Sequence, residues 1–436
     1  MTANGGRIIF QGADLFDGEN ALRSGVNVVV EGQRIDSVGE APVEAGPDDR
    51  VVDLSGKTLM PGMFSCHFHT GFGTTATQGG APVLGLEAPA AYFGILGARN
   101  LSTALQCGIT GIIGSSNPYN LDVCLKEAMV LGQLEGPRLL ACTQEFVTSG
   151  EQADGTNRSW FMDLNNHGLI RRVDGADGYR QATREALGAG CDIVKISSAP
   201  GHGSSPISDI CYMTRDELDA VVEVARKQGK RVRSHCPSRT AILECARAGV
   251  DIIDHADRID SEGIDAVLEA DASITPSLLW STRFLAFAES WDHSAGAFPI
   301  GDGFPENLPD TLERLRGVRE DFEYTCKILP EVVKSGVRLL LGDDFGFPMM
   351  PHGDYVSEME VYTELGIPAQ TVLQWATKNG AEAMGRGDDL GTVDEGKLAD
   401  LLVIDGDPIA NLPILRDPAK MPAIMQEGRF VRDNLR

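Results

Sequence analysis

No stretch of this sequence approaches the roughly 20 consecutive apolar residues that a membrane-spanning helix needs. The amino terminus, Met1-Thr2-Ala3-Asn4-Gly5-Gly6, also lacks the basic-then-apolar pattern of a secretory leader. Neither a bilayer span nor export is therefore expected. Basic residues are scarce: 38 Lys and Arg stand against 63 Asp and Glu, a formal net charge of -25. Such a field opposes nucleic acid and anionic membrane surfaces, so neither is expected as a partner. Nine cysteines, at 66, 107, 124, 142, 191, 211, 236, 245 and 326, form no Cys-x-x-Cys pair. An odd, scattered set points to reduced thiols in the cytoplasm. No phosphate-binding fingerprint is present either. The turn Ala199-Pro200-Gly201-His202-Gly203-Ser204-Ser205 is glycine-rich but lacks the strand-glycine-helix context and basic partner of one.

What is present suffices for one large core and a smaller one: 42% hydrophobic residues and 50 glycines in 436 residues. From Arg7 to about Leu59, short apolar runs such as Ile8-Ile9-Phe10 and Val26-Asn27-Val28-Val29-Val30 are broken by Gly12, Gly18, Gly32 and Gly39. That texture returns near the carboxyl end, in Ala399-Asp400-Leu401-Leu402-Val403-Ile404, Pro422-Ala423-Ile424-Met425 and Phe430-Val431. Both ends read as strands and turns, and together predict one discontinuous β-sandwich domain from residues 1–60 and 386–436.

Between them, residues 61–385 alternate strand-like runs with amphipathic stretches, the pattern of βα units on a parallel sheet. Eight runs can be counted: 60–69, 108–115, 137–146, 192–198, 231–237, 250–256, 273–280 and 337–345. Helical spacing recurs over 215–227, 239–248 and 261–269. The fold class predicted is α/β, a (β/α)₈ TIM barrel with a small β-sandwich domain.

In such a barrel, chemistry sits at the carboxyl ends of the strands. Pro61-Gly62-Met63-Phe64-Ser65-Cys66-His67-Phe68-His69 ends in two histidines one residue apart. On an extended strand these point the same way and can share one metal ion, although a hydrogen-bonded core pair has the same spacing. Lys195 lies late in Ile193-Val194-Lys195-Ile196, His235 ends Val232-Arg233-Ser234-His235, His255 ends Ile252-Ile253-Asp254-His255, and Asp343-Asp344 follow Leu339-Leu340-Leu341-Gly342. Each alone has a structural explanation. Five runs ending in possible ligands are not what chance placement would give.

The order His-x-His, Lys, His, His, Asp on strands one, four, five, six and eight resembles the amidohydrolase superfamily. More narrowly, it is similar to the imidazolonepropionase- and prolidase-like metal-dependent C–N hydrolases. Leu59-Met60-Pro61-Gly62, Gly342-Asp343-Asp344-Phe345-Gly346 and Gly391-Thr392-Val393-Asp394-Glu395-Gly396-Lys397-Leu398-Ala399-Asp400-Leu401 extend the likeness over nearly the whole chain. The resemblance implies two divalent ions. His67 and His69 would hold the more buried one, His235 and His255 the more exposed one. Lys195 would bridge them as a carbamate formed with carbon dioxide, since a protonated lysine cannot ligate. Asp344 would be the last ligand and proton shuttle, with Asp343 as the less favoured neighbour, and His255 would join Asp344 in the catalytic pair. The donor set suits zinc, and also manganese, cobalt or iron. The implied reaction is attack of metal-activated hydroxide on an amide, carbamate or urea. Cyclic-amide hydrolysis or deamination is possible on the same scaffold. Homo-oligomers are common for the architecture.

Specificity would come from the loops after strands one and seven. Phe72, Leu84, Leu86, Tyr92 and Phe93 follow the first; Trp280, Phe284, Phe287, Trp291 and Phe298 follow the seventh. These either wall a pocket for a small apolar or aromatic substrate or pack beneath the loops. His202 either contacts substrate or is simply solvated, and Phe72 and Trp280 join it as candidate substrate contacts. His167, His293 and His352 fall outside the strand-end pattern. Pro237 stands where related dipeptidases commonly have a tyrosine that holds the substrate carboxylate. Peptide-like activity is thereby disfavoured unless Arg233 or Arg239 replaces that anchor, and dipeptidase chemistry remains the alternative.

Overall fold

The fold is that of a computed structural model describing residues 6–73, 89–151, 154, 168–203, 205–292, 308–347 and 349–435. Its centre is a ring of parallel strands built from the eight apolar runs. Met63–Phe68 pairs with Ile109–Gly114, which pairs with Arg138–Leu140. The third run breaks at Ala141, and its second half, Cys142–Val147, pairs with Ile193–Ser197. Arg231–Cys236, Ile252–His255, Ser273–Thr275 and Arg338–Leu339 follow in order, each parallel to its neighbour. The first and last runs meet where the Cys66 N–H donates to Leu341 O at 2.7 Å. Glycine is required at that seam: a Cβ on Gly342 would lie 2.3 Å from His67 N. The fold is α/β, and this parallel ring is consistent with the expected TIM barrel.

The three helices predicted from periodicity occur as Arg215–Lys227, Arg239–Ala248 and Ser261–Glu269. Each starts on a side chain able to satisfy free backbone donors. Glu217 accepts from the Thr214 N–H at 2.8 Å, Ser238 Oγ from Ala241 N at 3.2 Å, and Asp260 from Gly263 N at 2.9 Å.

The seventh run departs from expectation. It is extended only over Ser273–Thr275, and Trp280 lies in the first turn of the helix Leu278–Ser290. Ser277, at φ +57°, turns the chain out of the strand. The Trp280 N–H then donates to the Asp343 carboxylate at 3.1 Å, giving a free donor of the helix start a partner.

The two chain ends share one eight-stranded sheet, in which Leu401–Ile404 runs antiparallel to Thr58–Pro61. Its apolar face buries Phe10, Leu15, Val28, Leu59, Leu401, Val403 and Met425 in a cluster of its own. The sequence reading joined the ends in a sandwich; the hydrogen bonds join them in one sheet, a path of seven strands from which Arg50–Asp53 branches by pairing with Ile8–Leu15. Arg138, at the start of the third barrel run, reaches Asp400 and Glu427 of this sheet. Among the described residues no helix is long and apolar enough to cross a membrane.

Candidate metal centre

His67 and His69 point into the mouth of the ring, and both meet the same oxygen. Asp344 Oδ1 lies 2.9 Å from His67 Nε2 and 3.1 Å from His69 Nε2. His69 Nδ1 is 2.8 Å from Ser116 O. A carbonyl only accepts, so Nδ1 carries a proton and Nε2 is the nitrogen left to face Asp344. At that distance the nitrogen and the carboxylate oxygen share a cation, a proton in the metal-free protein or a metal ion where one is bound. This is the orientation a metal-ligating histidine takes from its backing carbonyl.

Of the neighbouring carboxylates, Asp344 is the one that meets the histidines. Asp343 turns away, accepting from the Trp280 and Asp344 N–H groups at 3.1 and 2.7 Å. Their titrations split accordingly. Burial, then the Glu358 carboxyl, pushes Asp343 well up. Burial also opposes the Asp344 charge, but the His67 and His69 imidazoles outweigh it and hold Asp344 well below the ordinary carboxylate range.

His235 shares its strand face with Arg233, two residues earlier, and its Nε2 lies 3.0 Å from Gly201 O. His255 requires more. Asp254 and His255 are neighbours, so a regular strand would send them to opposite faces. The chain leaves the extended conformation there, with φ +72° at His255 and +52° at Ala256. Such angles are uncommon for residues with side chains. As a result both face the site: the His255 ring centroid is 5.3 Å from that of His67 and 4.7 Å from that of His235. Ligand atoms of His67, His255 and Asp344 all lie within 4.8 Å of one another. His67 Nδ1 and His255 Nδ1 are buried and have no hydrogen-bond partner. Burial pushes His67 and His235 down to about 4 and His255 well below its ordinary value, so these rings are neutral and able to ligate near pH 7. The donor set fits a divalent ion.

Lys195 is brought to the same floor through an intermediary. Its Nζ lies 2.6 Å from Asp254 Oδ2, and Asp254 Oδ1 is 3.8 Å from His67 Nδ1. Sequence reasoning missed Asp254, although its place next to a ligand histidine was the available signal. It also missed Asp257, whose Oδ2 is 2.9 Å from His202 Nδ1. His202 is therefore not solvated. It is buried, stacks on His255 at 3.6 Å between centroids, and leaves Nε2 without a hydrogen-bond partner. Burial alone would lower its pKa, but the Asp257 carboxylate outweighs that and raises it. His352, outside the strand-end pattern, lies behind the first pair, with Nε2 3.2 Å from His69 O.

The expected aromatic walls divide. Phe72 stacks on His69 at 4.0 Å and 5°, and meets Phe347 edge-on at 5.3 Å. Trp280 lies 4.5 Å from Phe347, completing an arc beside the ligands. Phe284 is buried, and Phe287 and Trp291 pack against its cluster, while Phe93 belongs to the main core. Leu84, Leu86, Phe298, His167 and His293 lie outside the described residues.

Two suggested substrate anchors are corrected. Arg233 is 0% exposed and bound to Asp254 inside the ring. Arg239 pairs on the outside with Asp260 and Glu262. Arg233 has Nε, Nη1 and Nη2 all engaged inside the ring, and Arg239 is held by two carboxylates.

A parallel α/β ring carries His, Asp and Lys side chains at its mouth, where His67, His255 and Asp344 could hold a metal ion, beside a sheet made from both chain ends. Comparison with known proteins makes the assignment specific. The family model described as "Amidohydrolase family" matches residues 58–431, so the chain belongs to that family. It is a hydrolytic enzyme acting on C–N bonds. Among its relatives, ochratoxinase of Aspergillus niger is 22% identical over 389 residues, covering 86% of this chain and 75% of the relative. A Xaa-Pro dipeptidase with methionine bound in its active site superposes with a TM-score of 0.82 at 23% identity, covering 98% of this chain and 100% of that one. Phenylurea hydrolase B superposes with a TM-score of 0.73 at 19% identity, covering 98% and 96%.

Proposed function

We propose that the protein hydrolyses an amide, carbamate or urea bond in a small, apolar or aromatic substrate. The reading is supported above all by the imidazole nitrogens of His67 and His69 converging on Asp344 Oδ1 at 2.9 and 3.1 Å. His67, His69 and Asp344 would hold one divalent ion, His235 and His255 a second, and Lys195, as its carbamate, both. Zinc suits these donors best, with manganese, cobalt and iron as further options. Bound there, the ions supply Lewis acidity and lower the pKa of a water.

The rest falls to the chain's own groups. Asp344, kept ionised by its imidazole neighbours, accepts the proton of the attacking water and returns it to the departing nitrogen. An amine leaves poorly without that proton. His202, fixed by Asp257, offers Nε2 to the substrate, where it can donate to the carbonyl oxygen as charge develops. Phe72, Phe347 and Trp280 would take a flat apolar group. With Arg233 and Arg239 engaged and Pro237 lacking a donor, a carboxylate-bearing peptide finds no obvious anchor among the described residues. Among similar proteins, ochratoxinase, phenylurea hydrolase B and molinate hydrolase lend support in kind, while the Xaa-Pro dipeptidase supports the alternative.

The test is metal analysis followed by turnover of anilides, carbamates, ureas and N-acyl amino acids, with products identified by mass. Release of an amine from the first three classes is the expected result. Preferential cleavage of N-acyl amino acids would establish the dipeptidase alternative, and release of ammonia with retention of the ring a deaminase. Failure to bind zinc or manganese in the presence of bicarbonate would overturn the metal-dependent reading.

A further inference from the structure

Beneath the six candidate ligands lies a buried ion pair that their chemistry does not use. Arg233, 0% exposed, grips Asp254 with Nη2 at 2.6 Å from Oδ1 and Nε at 3.1 Å from Oδ2. Its remaining terminal nitrogen, Nη1, donates to Cys66 O and to Gly114 O, each at 2.8 Å. These carbonyls sit on the first and second barrel strands at a particular place. Between Ser65↔Ile112 and Phe68↔Gly114 the first strand has one residue more than its partner, a bulge spanning Cys66 and His67. Bulges re-aim side chains and interrupt the ladder. Here the interruption falls on the first metal-ligand candidate, and the guanidinium bridges it.

We propose that Arg233 is a positioning residue of the metal centre, fixing the bulge that presents His67 and, through Asp254, the end of Lys195. Two candidate ligands from different strands are thus referred to one rigid group. Asp254 Oδ2 takes both Arg233 Nε and Lys195 Nζ, while Asp254 Oδ1 faces His67 Nδ1 at 3.8 Å. Net stability is a weak reason for such a pair, since buried ion pairs seldom outperform apolar packing of similar volume. The orientation it imposes is the stronger one. Only the planar fork of arginine reaches a carboxylate with two nitrogens and two carbonyls with a third; an ammonium on a flexible stem cannot.

The inference rests on the metal-dependent reading above, and its test reads ion affinity rather than turnover. Arg233→Lys keeps the charge and removes the fork. With the fold verified by circular dichroism, zinc affinity measured by competition with a chromogenic chelator is expected to fall about 10- to 100-fold, the usual effect of removing a group that orients ligands. A folded Arg233→Lys protein with wild-type affinity overturns the proposal. If that variant does not fold, the double replacement Arg233→Met with Asp254→Leu exchanges the pair for apolar packing. It is expected to fold and to show the same loss, and a folded double variant with wild-type affinity again overturns the proposal. If neither folds, the pair is a folding strut and the positioning role is withdrawn. A wild-type chain that binds no zinc removes the metal-dependent reading itself, an outcome distinct from all of these.

Discussion

His202 lies flat against His255, ring centroids 3.6 Å apart and planes within 17°, with its outer nitrogen 2.9 Å from Asp257. One candidate ligand thus sets the position of an imidazole whose remaining nitrogen is buried and unbonded.

Replacing His202 with Gln should lower kcat/KM by about 10²-fold, in line with loss of one donor to a developing oxyanion. Metal content should stay at the wild-type level, because His202 is outside the proposed ligand set. Steady-state kinetics beside elemental analysis checks this. Loss of metal together with activity would make His202 a ligand instead.

Asp344→Asn should keep bound metal and lose about 10²- to 10⁴-fold in kcat, the range for removal of a general acid-base group. The amide retains one oxygen to face the ions but cannot carry a proton away from water. Pre-steady-state and steady-state rates on the best substrate of the panel decide it, and undiminished turnover would place the shuttle elsewhere.

Phe72→Ala and Phe347→Ala should discriminate between substrates rather than slow all of them. Each is expected to cost about 10-fold in kcat/KM on aryl compounds, roughly the worth of one aromatic contact. Small acyl compounds should change little. Equal losses on both would mean that the two rings only support His69.

In the metal-free protein, His67 and His235 have folded pKa values near 4 because burial disfavours their charge. Unfolded histidines take up protons near 6.5, so between about 6.5 and 4 the unfolded chain binds more protons. Stability from these groups is therefore complete above about 6.5 and is lost as pH falls through the window. Glu358, pushed up to about 8, and Asp122, pushed up to about 7, both by burial, act in the opposite sense. The test is consequently a difference. Denaturant unfolding of chelator-treated protein at pH 7 and pH 5 should show a smaller acid-induced loss in His235→Gln than in wild type. An equal loss would remove His235 from the titrating set.

Much of the framework was legible because periodicity is a local property. The helices 215–227, 239–248 and 261–269 emerged with the predicted bounds, each with a capping residue just ahead of it. The seventh run was misread because apolar residues fill both its strand and the first turn of the following helix. Only the left-handed turn at Ser277 separates the two. Arg233 was misjudged for a different reason. A side chain two residues before a ligand on the same strand face points into the ring, and there it found Asp254 before any substrate could.

The sequence by itself determined which residue types end each barrel strand, and in what order, because alternation along a strand depends only on neighbours in the chain. It could not decide that His255 turns inward beside Asp254, or that His202 is buried against Asp257. Those outcomes depend on left-handed backbone angles and on partners far along the chain. They became definite only when the ring closed at Gly342, where the absence of a side chain lets the eighth run approach the first.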